Sequence, residues 1–160
     1  CLLFAGKVRI PIENFTNITG RDSTDQILVK FDLPVDFTER SHIVSAELCL
    51  DIPAPESFSR HQAEIKIMRI NREWDDSSTG SSFYSDTNEV HQSNYEIEFI
   101  NNEGLTCVDV KDFIYDWVKP EVSNYGIIIV PYSRGFNLSV SGLRTEPLGE
   151  LILKYIPVGR

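Results

Sequence analysis

Residues 106–131, TCVDVKDFIYDWVKPEVSNYGIIIVP, hold the strongest structural signal in this chain of 160 residues. Five apolar residues in the middle of the stretch share the spacing that gathers side chains on one face of a helix. They are Val110, Phe113, Ile114, Trp117 and Val118. Asp109 is placed to cap this helix and Pro120 to end it, so the pattern predicts a short helix over about 109–119. The continuously apolar run 125–130 predicts a strand that is buried on both faces.

Alternation of apolar and polar residues predicts strands along the rest of the chain, each with one dry and one wet face. The predicted strands number about nine: 8–12, 27–33, 46–52, 63–67, 95–99, one that begins at 106 ahead of the helix, 125–130, 136–141 and 151–156. Polar turns separate them. We therefore expect an all-β fold, a jelly-roll-like antiparallel β-sandwich with one short helix. One domain over 7–160 accounts for the pattern, and an apolar segment over 1–6 precedes it.

The charge of the chain disfavours two classes of partner. Lys and Arg number 15 against 24 acidic residues, for a net charge of -9. Such a chain repels phosphate backbones and anionic lipid, so no nucleic-acid partner is expected. No apolar run approaches the roughly 20 residues that cross a bilayer, so no membrane span is expected either.

The residue pattern carries no signal for catalysis. His42, His61 and His91 are isolated from one another and from cysteine, which disfavours zinc and a Cys-His nucleophile. We predict a protein that is not an enzyme and needs no cofactor. Asp75 and Asp76 begin a long polar loop and offer hard oxygen ligands, which makes a weak calcium site there the one metal candidate.

Six segments, in order, resemble the landmarks of the DNRLRE domain family. They are ILVKFDL at 27–33, IVSAELCL at 43–50, INREWDD at 70–76, VDVKDFIYDW at 108–117, NYGI at 124–127 and ELILKY at 150–155. Prodomains of TGF-β-like growth factors share some of these landmarks. The resemblance implies a β-sandwich of secreted and cell-surface proteins, some members binding carbohydrate and others purely structural. No site residue carries over, and the chain departs from the family pattern at its apolar front.

The three cysteines permit several interpretations. Cys49 and Cys107 are out of phase with the dry faces of their strands, and in an extracellular setting they either form a disulfide or stay as two partly buried thiols. Cys1 is then left over as a free end, as a bond to another chain or as a lipid-bearing cysteine. The last is disfavoured because apolar residues rather than small polar ones follow Cys1.

Three sequons are candidates for N-glycosylation, at Asn14, Asn17 and Asn137. They favour export, with coincidence as the alternative. Four aromatic residues on or beside the long loop are candidates for binding carbohydrate, because sugar C-H faces pack on exposed rings. They are Trp74, Phe83, Tyr84 and Tyr95. The alternative is that these rings pack the loop onto the sandwich.

The apolar N-terminal segment supports a hypothesis of self-assembly. An apolar strand ahead of an amphipathic one resembles a strand donated to a neighbouring subunit, and head-to-tail exchange builds fibres. The assembly candidates are Cys1, Leu2, Leu3, Phe4, Val8 and Ile10. The alternative is a longer first strand in its own sheet. The sequence thus predicts a non-catalytic structural protein, extracellular or on the cell surface, that self-assembles into filaments or a surface layer. A carbohydrate-binding module that attaches a secreted or surface protein to polysaccharide is the alternative.

Overall fold

The computed structural model describes residues 6–19, 25–34, 37–38, 41–52, 63–74, 90–101, 104–133, 138 and 146–156. These residues form nine strands and one helix. The strands are β1 Gly6–Pro11, β2 Asn14–Thr19, β3 Asp25–Lys30, β4 His42–Leu50, β5 Glu64–Ile70, β6 Val90–Phe99, β7 Thr106–Asp109, β8 Ile127–Pro131 and β9 Gly149–Ile156. The helix α1 spans Lys111–Trp117.

The strands make two antiparallel sheets. One has four strands in the order β1-β9-β4-β7, and the other has five in the order β2-β3-β8-β5-β6. The chain passes repeatedly from one sheet to the other, as in a jelly roll. This arrangement confirms the predicted all-β sandwich with one short helix. Within the described residues no helix is long and apolar enough to cross a bilayer.

The core lies between the two sheets and includes one face of α1. Phe113, Ile114 and Trp117 are buried there, and the Phe31 and Trp117 rings meet edge to face with their centroids 5.4 Å apart. The predicted apolar face of the helix is therefore confirmed. The helix is shorter than expected because Asp109 still pairs with Glu47 in the sheet. The predicted cap is corrected as well, because the N-cap residue is Val110 and not Asp109, although the Asp109 carboxylate accepts a hydrogen bond from the Lys111 amide at 3.0 Å.

A tight turn leads from the helix into the buried strand β8. The Gly126 amide donates to the Asn124 side chain at 3.0 Å, and the Asn124 amide group donates to the Phe31 carbonyl at 2.9 Å. Gly126 has φ +87°, and a Cβ there would lie 1.9 Å from the Val29 carbonyl oxygen. Only glycine fits a position that combines this backbone angle with such a close approach.

One element of the described residues differs from the sequence prediction. Strand β2 was not predicted, because Phe15 packs against the core between the sheets while Ile18 packs on the opposite face of its sheet. An edge strand that uses both faces shows no clean alternation. The predicted strand at 136–141 falls largely outside the described residues.

Candidate functional site

The outer face of the four-stranded sheet is charged. Lys7, Arg9, Glu47 and Lys154 are exposed on it. Arg9 forms an ion pair with Glu150 of the neighbouring strand. Such a surface is well solvated. Val44 of β4 is its one large apolar side chain, among the described residues, with close to half of its surface exposed.

A disulfide joins Cys49 and Cys107 across β4 and β7, where the two residues are directly paired with their Cα atoms 4.0 Å apart. The sequence left this bond and two free thiols as alternatives, and the structure contains the bond. Glu47 brings a carboxylate oxygen within 4.8 Å of both sulfurs. Because the sulfurs are bonded to each other, neither is a thiolate that could hold a metal ion.

Acidic side chains line a groove where the two sheets meet beside β6 and β7. Glu47, Glu98 and Asp109 line this acidic groove together with one cation, Lys111, and the cavity has a volume of about 420 Å³. Nearby, burial raises the pKa of Glu96 above its ordinary value of 4.5, and the charges of Asp112 and Asp109 raise it further. Several carboxylates therefore lie close together at this edge of the sandwich, and their mutual repulsion lowers the stability of the folded state.

The outer face of the five-stranded sheet is apolar over much of its area. A second cluster of buried side chains lies there, separate from the core between the sheets. Its members are Ile18, Leu28, Met68, Ile70, Trp74, Val90, Ile128 and Val130. Because strand side chains alternate between faces, this sheet contributes apolar residues to both of its sides.

Trp74 belongs to this second cluster, which corrects its assignment as an exposed ring for sugars. The side chain is only 3% exposed. Its indole Nε1 donates to the Tyr125 carbonyl at 2.6 Å, and the Lys30 ammonium lies 5.0 Å from the ring centroid. A tryptophan with its ring buried and its N–H satisfied is part of the fold, so of the two alternatives for Trp74 the structure shows packing onto the sandwich.

Three aromatic side chains on the same face are exposed, and we name them the aromatic platform. Tyr95 is 45% exposed, Phe99 40% and Tyr132 52%. Tyr95 pairs with Met68 of the second cluster, which fixes it on the outer side of the sheet. The sequence identified Tyr95 but missed the other two. Phe99 is the last residue of a predicted strand, and Tyr132 follows two residues after the end of another.

Strand register puts Phe99 and Tyr132 on either side of Glu64. Phe99 pairs with Glu64 across β6 and β5. On the other side of β5, the Tyr132 amide donates to the Glu64 carbonyl at 2.8 Å, and the Glu64 amide donates to the Ser133 hydroxyl at 2.9 Å. Hydrogen bonds to Glu64 and Ser133 therefore hold the backbone that carries the two rings in place.

Lys66 supplies a cation in the middle of the aromatic platform. It lies on β5 between Glu64 and Met68 on the same face, and it pairs with Ile97 and with Val130. Its ammonium stands 4.2 Å from the centroid of the Tyr95 ring, a cation–π contact. Aromatic rings and charged groups therefore alternate on this surface, which is not uniformly apolar.

The assembly candidates divide into two groups. Val8 and Ile10 lie on β1, which pairs with β9 of its own sheet, and both side chains pack against the core between the sheets. Cys1, Leu2, Leu3 and Phe4 lie outside the described residues. Self-assembly stays a prediction, and Val8 and Ile10 already have partners within their own chain.

The remaining candidates are also distributed unevenly. Asn14 is exposed on the edge strand β2, whereas Asn17 is half-buried and its side-chain oxygen is buried. The other five candidate residues lie outside the described residues. They are Asn137, Phe83, Tyr84, Asp75 and Asp76.

Comparison with models of protein families and with curated proteins finds no match to this chain. The resemblance to the DNRLRE domain therefore stays a prediction.

Proposed function

We propose that this protein is an extracellular carbohydrate-binding module that holds its ligand on the aromatic platform. The observation that carries the proposal is the exposure of Tyr95, Phe99 and Tyr132 on one sheet face. Exposing several aromatic side chains to water on neighbouring strands is unfavourable, and such a patch is typical of a binding surface.

The groups between the rings favour sugar as the ligand. Glu64 and Lys66 lie on β5, between the strand of Tyr95 and Phe99 and the strand that leads to Tyr132. A sugar presents C-H faces to aromatic rings and hydroxyl groups to a carboxylate or an ammonium, so it uses both kinds of group at once. A purely apolar partner would leave these charges buried without partners, which is unfavourable.

The disulfide supports a location outside the cell. Cys49 and Cys107 are bonded, and such bonds persist in oxidising compartments. Polysaccharides of cell walls and matrices are found in the same compartments. Location and ligand class are therefore compatible.

The structural, self-assembling function predicted from the sequence has less support. Its donor strand would carry Val8 and Ile10 into a neighbour, yet both side chains pack in their own chain. Nothing among the described residues favours strand exchange over the simpler arrangement. Carbohydrate binding has a defined surface, so we rank it first.

The experiment is retention on polysaccharides. Affinity electrophoresis through soluble glucans, mannans, xylans, galactans and polyuronates, with pull-down on insoluble chitin and cellulose, covers the main classes. We expect retention by at least one of them. The triple variant Tyr95→Ala, Phe99→Ala and Tyr132→Ala should lose retention without losing its thermal midpoint.

Tyr115→Ala is the matched control, because Tyr115 is an exposed aromatic of helix α1, at 38% exposure, and not of the platform. It should be retained like the parent protein. Retention of the triple variant would exclude the aromatic platform as the site. Loss of self-association in the triple variant, with no retention of the parent on any polysaccharide, would instead identify the platform as a protein interface.

A further inference from the structure

We infer that the aromatic platform is built for an extended, neutral, β-1,4-linked polysaccharide that lies across the strands, over Phe99, Glu64 and Tyr132. The inference rests on the proposed function and adds the linkage, the charge and the direction of the bound chain. Its basis is the row of three side chains that the strand register aligns on adjacent strands.

The spacing of the row selects the linkage. Phe99 and Tyr132 lie two strand spacings apart, about 10 Å, because neighbouring strands are separated by about 4.8 Å. A β-1,4-linked pyranose chain is a flat ribbon that turns each ring over relative to the last, so the same ring orientation returns at every second sugar, close to this distance. An α-1,4-linked chain coils and does not present rings in a flat row.

The middle residue of the row, Glu64, then lies opposite the second sugar of the bound chain. Glu64 lies between the two rings, and its carboxylate accepts hydrogen bonds from hydroxyl groups. Sugars one and three would stack on Phe99 and Tyr132 while sugar two donates hydroxyl protons to Glu64. The shortest ligand that uses the whole row is therefore a trisaccharide.

The charges favour a neutral chain. Glu64 stands in the row, and the net charge of -9 repels polyanions at long range. Lys66, the cation that the described residues place on the platform, is engaged by the face of the Tyr95 ring. A chain that carries a carboxylate on each sugar would bring one of them against Glu64.

Tyr95 lies off the row. It is four residues from Phe99 on the same strand, about 13 Å away at roughly 3.3 Å per residue. It can contact a second chain or a branch, but a single chain over the row does not reach it. Truncating Tyr95 should therefore weaken binding of a linear oligosaccharide much less than truncating Phe99 or Tyr132.

The test is titration calorimetry with β-1,4-linked gluco-oligosaccharides from the disaccharide to the hexasaccharide. Affinity should rise about tenfold between disaccharide and trisaccharide, when the second ring contact forms, and then level off. Phe99→Ala and Tyr132→Ala should each lose about tenfold on the hexasaccharide, and Glu64→Gln should lose less. Tyr95→Ala and the control Tyr115→Ala should bind like the parent.

Matched ligands separate this inference from the proposed function. α-1,4-linked gluco-oligosaccharides have the same sugars and lengths and should not bind. Binding of only α-linked, β-1,3-linked or polyuronate ligands would overturn the inference and leave the carbohydrate-binding function standing. Absence of binding to every carbohydrate would overturn both. Two further results would contradict binding along the row of Phe99, Glu64 and Tyr132. One is an affinity that shows no step between disaccharide and trisaccharide, and the other is a larger loss of affinity in Tyr95→Ala than in Phe99→Ala.

Discussion

The outer faces of the two sheets differ in the residues that they expose to water and in those that they bury. The four-stranded sheet turns charged residues to water, among them an Arg9–Glu150 ion pair, and carries a disulfide between two of its strands. The five-stranded sheet buries an apolar cluster around Trp74 on its outer side and leaves three rings exposed beside it. One face is charged and solvated, and the other combines a second apolar cluster with the exposed rings of the aromatic platform.

The two faces of the sandwich therefore differ in what holds their side chains in place. Surface ion pairs contribute little, typically below about 1 kcal/mol, so the four-stranded sheet relies on the core beneath it and on its covalent link. The five-stranded sheet has buried apolar residues on both sides, in the core between the sheets and in the second cluster.

The largest expected effect tests whether the outer cluster is a true second core. Trp74→Ala should destabilise the fold by about 3–5 kcal/mol, as much as Trp117→Ala in the core between the sheets, because each removes a large buried ring. Urea or guanidinium midpoints of the two variants make the comparison. A loss below about 1 kcal/mol in Trp74→Ala would mean that the outer face is only loosely covered.

Replacement by phenylalanine sharpens the same comparison. Trp74 Nε1 donates a hydrogen bond to Tyr125, whereas Trp117 Nε1 is buried without a hydrogen-bond partner among the described residues. Trp74→Phe leaves the Tyr125 carbonyl unsatisfied, at a cost of about 1–3 kcal/mol, and Trp117→Phe has no such cost. The predicted order of stability is therefore Trp117→Phe above Trp74→Phe.

The next effect concerns the four-stranded sheet. The two cysteines of the disulfide are 58 positions apart in the sequence, so the bond closes a long loop. Cys49→Ala with Cys107→Ala should lower the free energy of unfolding by about 2–4 kcal/mol, chiefly because the unfolded chain gains freedom. Reductant should destabilise the parent and leave the double variant unchanged. Equal unfolding of the parent with and without reductant would contradict a stabilising role for the bond.

A smaller effect arises at the edge where the two sheets meet. The raised pKa of Glu96 means that the folded state holds this proton more tightly than the unfolded state. Stability from this group is then full below pH 4.5 and declines as the pH rises through the raised folded value. Glu96→Gln should therefore raise the thermal midpoint modestly at pH 7, and the gain should vanish near pH 4.

Glu73→Gln removes the same charge from an exposed glutamate outside the acidic groove. Comparing the two variants separates the local crowding from the change in net charge. The same gain in both would mean that total charge, and not the acidic groove, is responsible.

The smallest effect on stability is expected on the aromatic platform. Tyr95→Ala and Tyr132→Ala should change the free energy of unfolding by no more than about 0.5 kcal/mol, because both rings are largely exposed. Denaturant titration measures this, with Trp74→Ala as the buried counterpart on the same face. A loss above about 2 kcal/mol would assign the platform rings to the fold and remove the argument that they are kept for binding.

The fold class could be predicted from the sequence because its signals are local. Period-two alternation marked most strands, and the spacing from Val110 to Val118 marked the helix and its buried face. The continuous apolar run of β8 marked a strand covered on both sides. In each case the side chains that give the signal are neighbours along the chain, so the pattern alone carries the information.

Only the tertiary structure decided which aromatic residues are exposed. Trp74 stands beside a polar loop in the sequence, yet it is buried in the same cluster as Leu28 and Ile128, which come from strands distant along the chain. Phe99 and Tyr132 are 33 positions apart in the sequence, and they become neighbours because β6 and β8 flank the same strand, β5. Alternation tells which face of a strand a residue takes, but strand order decides what covers that face, and strand order depends on contacts that no local pattern encodes.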